Sequence, residues 1–334
     1  MIQVKTSFLT KHQLPLVIEP TKEGACCDDL LDFIYNNLDW LKKELLTYGG
    51  LLFRGFGTDQ VQNFSQVIDA LGLGTSLDYI GGGSPRSKVY KSIYTSTEAA
   101  PDIKICLHNE LSYSNIFPKH IYFWCDIPPQ EGGETFLGDA RKIFEKVNPS
   151  LKQKFQEKQL NYISRYYCQS KLMELVNKIK RGHRSWKDVF ETDNKQDVEE
   201  KCKKAGINLK WNQNDWLEIS RMRPAFLEHP ETKETVWFNQ VHLFDYNPRF
   251  IGMWKYVAMR LFYIRKHMQV DEVHYADKSK IARKDIYHIH DILDEESIYF
   301  PWQNGDVLVL DNILAMHGRA PFKGKRRILT AMTS

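Results

Sequence analysis

The chain has 334 residues, which is long for one domain on a prior of roughly 100–200 residues, although barrel-based domains often run longer. Hydrophobic residues make up 42% and charged residues 26%, close to globular averages, so wholesale disorder is excluded. The formal net charge of +4 comes from basic residues mixed with acidic ones, which gives no ground for nucleic-acid binding.

The cysteines and the N-terminus indicate a cytoplasmic protein. The 6 cysteines form no C-x-x-C pair and are too sparse for a disulfide scaffold, which favours reduced thiols. The N-terminal sequence MIQVKTSFLTKHQLPLVIEP has no uninterrupted apolar segment, so we predict no signal peptide, and no apolar run long enough for a membrane span follows. The densest basic stretch, residues 175–184, is interpreted as a solvated surface rather than a docking patch.

The predicted elements begin with a helix over residues 28–47, which Tyr48-Gly49-Gly50 ends because glycine tolerates positive φ. A short buried strand follows from Leu51. Runs of branched and aromatic residues separated by Pro and Gly then predict strands. These strands are 88–95, 103–113, 120–124, 162–167, 237–240 and 307–311, and helices are predicted at 139–157 and 194–205.

Many short strands combined with early and middle helices predict a mainly β fold with helical insertions. The expected core is a jelly-roll-type pair of sheets. We predict one domain over residues 1–334, with a helical insertion around residues 249–297.

A possible metal site is indicated by Leu107-His108-Asn109-Glu110-Leu111, which lies in a predicted strand. Alternation along a strand sends His108 and Glu110 out of the same face, so both can approach one ion. A second histidine would complete the two-histidine, one-carboxylate triad of Fe(II) enzymes that use O₂, and His317 is the candidate. A His-x-Glu pair by itself is weak evidence, because surface strands alternate polar residues anyway.

Four motifs together resemble the TauD/TfdA family of dioxygenases, and most closely its syringomycin-type amino-acid hydroxylase branch. The motifs are LHNELSY, PPQEGGETFLGDAR, HPETKETVWFNQ and WQNGDVLVLDNILAMHGRAPFKGKRRILTAM. The resemblance extends over nearly the whole chain, from Gly49 to Met332.

This resemblance implies a double-stranded β-helix (jelly-roll or cupin-like) in which His108, Glu110 and His317 bind Fe(II). It also implies that Arg327 and Thr135 bind the distal carboxylate of the co-substrate 2-oxoglutarate. Arginine suits that task because its planar fork bonds both carboxylate oxygens. Arg326 is expected to face the other way.

The implied reaction consumes O₂, converts 2-oxoglutarate to succinate and CO₂, and hydroxylates an unactivated C–H bond. Glu110 favours hydroxylation, since a related halogenase would have Gly or Ala there. Taurine dioxygenase has a further arginine four residues beyond its co-substrate arginine, where this chain has Ala331, which argues against a sulfonate substrate.

The expected substrate is an amino acid or amino-acid-like group, free or tethered to a carrier protein. No nucleic-acid or membrane partner is expected, and a homo-oligomer is left open. Each candidate substrate contact has an alternative role as a surface charge, a turn amide or an ion-pair partner. The candidates are Tyr79, Ser84, Arg86, Arg165, Asn239 and Gln240.

Two other functions stay open at this point. The same iron chemistry can desaturate, epoxidise or rearrange a substrate rather than hydroxylate it. Alternatively, the chain is a non-catalytic binding module of the same fold. Retention of all three ligands together with Thr135 and Arg327 argues against a pure binder.

Overall fold

The computed structural model describes residues 2–77, 86–168, 185–212, 215–262 and 271–334. Its strands are β1 Val4–Phe8, β2 Leu16–Pro20, β3 Gly50–Phe53, β4 Lys88–Tyr90, β5 Ile93–Thr95, β6 Ile105–His108, β7 His120–Ile127, β8 Glu131–Gly132, β9 Thr135–Asp139, β10 Leu160–Tyr166, β11 Asn208–Trp211, β12 Leu217–Arg223, β13 Phe226–Glu228, β14 Thr235–Trp237, β15 Asp271–Tyr275, β16 Ile298–Phe300, β17 Val307–Asp311, β18 Ala315–Arg319, β19 Phe322–Lys323 and β20 Arg327–Thr333.

The helices alternate with these strands along the whole chain. They are α1 Cys27–Asn36, α2 Leu38–Tyr48, α3 Val61–Leu71, α4 Ala140–Lys146, α5 Pro149–Lys158, α6 Trp186–Phe190, α7 Lys195–Lys204, α8 Val241–Phe244, α9 Pro248–Ile251, α10 Met253–Phe262 and α11 Arg283–Glu295. Within the part of the chain described, every helix is too short or too polar to cross a membrane.

Two sheets form the core of the fold. The larger has the strand order β1-β2-β3-β17-β7-β20-β5-β4, and the smaller has the order β16-β9-β18-β6. Their facing sides bury one apolar cluster that includes Phe123, Leu137, Phe300, Leu308 and Met332. The expected mainly β double sheet with helical insertions is therefore confirmed.

Helices cover the outer faces of both sheets. Leu30 of α1 and Phe64 of α3 pack with Trp124 and Leu329, which point away from the other sheet. Ile143 of α4 belongs to the cluster behind the smaller sheet. The helices therefore cover only the outer faces, and the inner faces of the two sheets pack against each other.

A third sheet has the order β11-β12-β10-β15 and lies outside this core. Strand β15 comes from the segment 249–297, where the sequence predicts a helical insertion. The segment contains the helices α10 and α11, but also this strand, which pairs with β10 in antiparallel register.

Several predicted elements differ from the structure at their ends. The helix expected over 28–47 is two helices that meet at Asn37, and Gly49 ends the second with φ 77° as expected. The helix expected over 139–157 is divided before Pro149. The strand expected over 103–113 stops at His108. The basic stretch 175–184 lies outside the described residues.

Candidate metal and co-substrate site

Three of the predicted site residues meet at the mouth of the two-sheet core. His108 ends β6 and lies directly opposite His317 in β18, with the ring centroids 4.4 Å apart. Glu110 Oε2 lies 3.7 Å from His317 Nε2. One nitrogen or oxygen atom from each of the three residues lies within 4.8 Å of the others, close enough to share one metal ion.

The chemistry of this donor set fits a divalent metal. His108 Nδ1 donates a hydrogen bond of 2.9 Å to Cys106 O, which leaves Nε2 without a proton and able to bind an ion. Burial lowers the pKa of both His108 and His317, so both rings are neutral near pH 7. Two neutral imidazoles and a carboxylate form the set used by non-haem Fe(II) oxygenases.

Glu110 reaches the cluster from a turn rather than from a strand, which corrects the alternation argument. Strand β6 stops at His108, and Leu111 has φ 56°. Asn312 holds this turn: its Oδ1 accepts from Glu110 N at 2.7 Å and its Nδ2 donates to Glu110 O at 3.0 Å. The turn and its clamp aim the carboxylate back toward His108.

A small cavity, partly open to solvent, adjoins the cluster. Besides His108 and His317 it is lined by Arg86, Ser96, Thr97, Ile105, Phe123, Thr135, Gly318, Arg319 and Arg326.

Thr135 is placed in this cavity by the Gly-Gly turn before β9. Gly133 has φ 70°, and a Cβ there would come within 2.9 Å of Phe322 Cβ, so only glycine fits. The Thr135 hydroxyl accepts from Trp302 Nε1 at 2.9 Å. The hydroxyl can still donate its own hydrogen to a ligand in the cavity.

Arg326, and not Arg327, lines the cavity, which corrects the predicted assignment. Side chains at Ile328 and Met332 face inward between the sheets, so Arg326 faces inward by alternation. Arg327 faces outward, where its guanidinium donates to Asp126 Oδ2 at 2.7 Å and is half exposed.

The Arg326 guanidinium keeps its charge without a carboxylate partner among the described residues. Its Nε donates to Gly133 O at 3.0 Å. Burial and the nearby Arg319 lower the pKa of Arg326 to about 10, which leaves it a cation near neutral pH. A partly buried cation of this kind is suited to an anionic ligand.

Arg319 is a cavity residue that the sequence analysis missed. Its guanidinium donates to the backbone oxygens of Ala99, Ala100 and Ile103, and so holds the loop before β6 over the cavity. Its position two residues after His317 on one strand is the signal that could have revealed it, because both side chains leave the same face.

Arg86 is the one described substrate candidate that lines the cavity. Its Nη2 donates to Glu110 Oε2 at 2.7 Å, and both side chains are buried. Tyr79 and Ser84 lie outside the described residues.

The other three substrate candidates are engaged elsewhere and do not line the cavity. Arg165 of β10 pairs with Glu218 and with Glu272 on the neighbouring strands. Asn239 donates to Ala225 O at 2.7 Å, and Gln240 donates to Asn109 O at 2.7 Å. These side chains satisfy buried or cross-strand partners, which is why they do not point toward the cavity.

Known proteins resemble this chain over nearly its whole length. The family described as taurine catabolism dioxygenase TauD, TfdA matches residues 14–333. Dapdiamide synthesis protein DdaC of Enterobacter agglomerans is 30% identical over 286 residues, 85% of this chain and 82% of that protein. A clavaminate synthase-like protein of Arabidopsis thaliana is 28% identical over 288 residues, 85% of this chain and 81% of that protein.

Solved structures share the fold at low identity. PvcB from Pseudomonas aeruginosa superposes with a TM-score of 0.54 at 16% identity, covering 98% of this chain and 90% of PvcB. AAD-2, solved with Mn(II) and N-oxalylglycine, gives a TM-score of 0.56 at 12% identity, covering 99% of this chain and 97% of AAD-2. The expected class, an Fe(II)- and 2-oxoglutarate-dependent oxygenase, is confirmed, while placement in the syringomycin-type branch stays a prediction. The chain belongs to the TauD/TfdA family of dioxygenases.

Proposed function

We propose that this enzyme binds Fe(II) through His108, Glu110 and His317, and binds 2-oxoglutarate with Arg326 and Thr135. Its reaction is hydroxylation of an unactivated C–H bond in an amino acid or amino-acid-derived substrate. The observation that carries this proposal is one cavity lined by both proposed ligand histidines, by Thr135 and by Arg326, which has no carboxylate partner among the described residues.

The roles of the cavity residues follow from their chemistry. A carboxylate at Arg326 would receive two charged hydrogen bonds from the guanidinium fork and a third from the Thr135 hydroxyl. Such an anion would also offset the burial of the guanidinium and its repulsion by Arg319, which together lower the pKa of Arg326. The bound iron would supply the site where O₂ is activated. Phe123 packs against His317 at a ring distance of 5.0 Å and keeps water from that side of the site.

The proposal departs from the sequence expectation in using Arg326. The position four residues beyond it is then Thr330, whose hydroxyl donates to Tyr122 O at 2.8 Å. Taurine dioxygenase has an arginine four residues beyond its co-substrate arginine. This chain has Thr330 four residues beyond Arg326 and Ala331 four residues beyond Arg327, and the lack of an arginine at either position supports a substrate other than a sulfonate.

An amino-acid-like substrate is supported by the family branch that the sequence resembles. The relative named for dapdiamide synthesis supports a role in making a specialised metabolite. Arg86 is the proposed contact for a substrate anion, since it lines the cavity beside Glu110. The substrate is free or tethered to a carrier protein.

We also propose that residues 1–334 form one catalytic domain in the cytoplasm. The strand β15 supports the first part, because it ties the segment 249–297 into a sheet with β10. The cysteines support the second part, because all six are free thiols.

Anaerobic addition of Fe(II) and 2-oxoglutarate tests the proposal. We expect a weak visible charge-transfer band from the chelated metal, followed in air by succinate release that an amino-acid substrate stimulates. A panel should contain free amino acids, aminoacyl-carrier conjugates, sulfonates and aryloxyacetates. A folded protein that binds Fe(II) but gives no band would contradict the co-substrate site, and stimulation by sulfonates or aryloxyacetates alone would contradict the substrate class.

A further inference from the structure

We infer that Gln240 and His242 are positioning residues for the metal site, a role that rests on the proposed function. They hold the two backbone carbonyls on either side of His108. Gln240 Nε2 donates to Asn109 O at 2.7 Å, and His242 Nε2 donates to Leu107 O at 2.8 Å. All four interacting groups belong to buried residues.

One of these bonds acts at Asn109, just beyond the end of β6, and the other acts at Leu107 on β6 itself, which is an edge strand of the smaller sheet. Strand β6 ends at His108, so the peptide groups that follow are no longer held by the strand ladder. The chain turns there, because Glu110 must reach back to His108 and Leu111 takes a positive φ of 56°. Asn312 holds the Glu110 side of the turn, and Gln240 and His242 hold the His108 side.

The hydrogen bonds from Gln240 and His242, here called the brace, come from a segment that is itself fixed. Gln240 N donates to the hydroxyl of Tyr162 at 3.0 Å, and Asn239 Nδ2 donates to Ala225 O at 2.7 Å. A brace anchored to β10 and to the connection between β12 and β13 can therefore transmit a fixed position to the ligand segment. Side chains that orient metal ligands in this way commonly govern both affinity and geometry.

His242 acts as a neutral donor over the whole working range of pH. Burial, with a smaller effect from His290, lowers the pKa of His242 to about 3. Its bond to a backbone carbonyl places the proton on Nε2, and within the described residues its Nδ1 has no hydrogen-bond partner. The contact to Leu107 O is thus the polar anchor of this ring.

Binding of Co(II) to the metal-free protein tests the brace without relying on turnover. The d–d absorption of Co(II) reports ligand geometry, and titration gives its Kd. Gln240→Met keeps the side-chain length and removes the donor, and His242→Leu removes the ring donor. We expect each to raise the Kd roughly 10- to 100-fold and to change the spectrum.

Two further variants separate positioning from general stability. His242→Gln retains an N–H group near the Nε2 position and should recover most of the affinity and the wild-type spectrum. Asn247→Ala removes a buried amide farther along the same segment, whose Nδ2 donates to Asp245 O instead. It should lower the Tm yet leave the Kd and the spectrum of Co(II) unchanged.

The outcomes distinguish this inference from the proposed function. If the wild-type protein binds neither Co(II) nor Fe(II), both are wrong. If the wild-type protein binds Co(II), and folded Gln240→Met and His242→Leu bind it with the same Kd and spectrum, the brace is wrong and the proposed metal site stands. Should Gln240→Met not fold, Gln240→Leu provides the same comparison, because it also removes the donor and adds no charge.

Discussion

Arg326 and Arg327 are neighbours in the chain, yet their guanidinium groups lie on opposite faces of the larger sheet. Arg326 lines the cavity beside the His–Glu–His cluster, whereas Arg327 bonds Asp126 at 2.7 Å on the outer side. The two residues therefore form a matched pair for testing which arginine binds the co-substrate.

Arg326→Ala should raise the KM for 2-oxoglutarate, since the charged bonds to the distal carboxylate are lost. Bonds of this kind contribute about 1.5–3 kcal/mol, so we expect roughly a 10- to 100-fold increase. Arg327→Ala should leave this KM within about 2-fold of wild type, because only an exposed ion pair is removed. Initial rates of succinate formation give both values, and the reverse order would assign the co-substrate to Arg327.

Thr135→Val should also raise the KM for 2-oxoglutarate, but less than Arg326→Ala does. The valine keeps the shape of the side chain and loses one hydroxyl donor, a loss of about 0.5–1.5 kcal/mol or roughly 2- to 10-fold. Thr135→Ser, which keeps the hydroxyl, should restore the KM. Equal effects of valine and serine would indicate that packing, rather than the hydroxyl, matters at this position.

His317→Ala should abolish substrate-dependent succinate release and weaken Fe(II) binding, because one of three ligands is lost. His274→Ala is a suitable control, since this histidine pairs with Glu272 on β15 and is not part of the cluster. Fe(II) binding measured anaerobically by competition with a chelator should fall in the first variant alone. Wild-type binding and turnover in His317→Ala would remove His317 from the ligand set.

Arg54→Met should destabilise the fold strongly. Arg54 forms two bonds of 2.9 and 2.7 Å to Asp306, and both side chains are buried. Breaking such a pair leaves a buried charge and costs about 3–5 kcal/mol. Lys5→Met, which removes an exposed pair with Glu19, should cost at most about 1 kcal/mol. Urea unfolding compares the two, and similar losses would contradict the expected effect of burial.

The metal-free protein should lose stability in acid partly through His242. Its pKa falls from an ordinary 6.5 to about 3 on folding, so above pH 6.5 the ring is neutral in both states. As the pH falls from 6.5 toward 3, the unfolded chain binds a proton that the folded chain excludes, and the folded state loses stability.

This loss is at most about 1.4 kcal/mol per pH unit for one group. His242→Gln, which has no titrating ring, should therefore lose less unfolding free energy than wild type between about pH 7 and about pH 5. Urea titrations at the two pH values measure the difference. An identical loss in both proteins would mean that His242 does not contribute to the acid sensitivity.

The sequence by itself predicted the kind of fold and pointed to three residues that the structure brings together. His108, Glu110 and His317 could be found because the motifs around them are local and specific, and the short strands could be found because alternation is a local property. Alternation along the same strand, with Ile328 and Met332 facing inward, could also have indicated that Arg326 faces inward. The resemblance to the family pointed to Arg327 instead.

Only the tertiary structure decided how the site is assembled. Glu110 occupies a turn that is held by Asn312, more than 200 residues away in the chain. Gln240, in the connection between β14 and α8, donates a hydrogen bond to Asn109 O in the same segment. Arg165 is taken up by Glu218 and Glu272 because antiparallel pairing sets these carboxylates beside it. Such assignments depend on which distant donors and acceptors meet when the sheets close, and no periodicity within one segment encodes that choice.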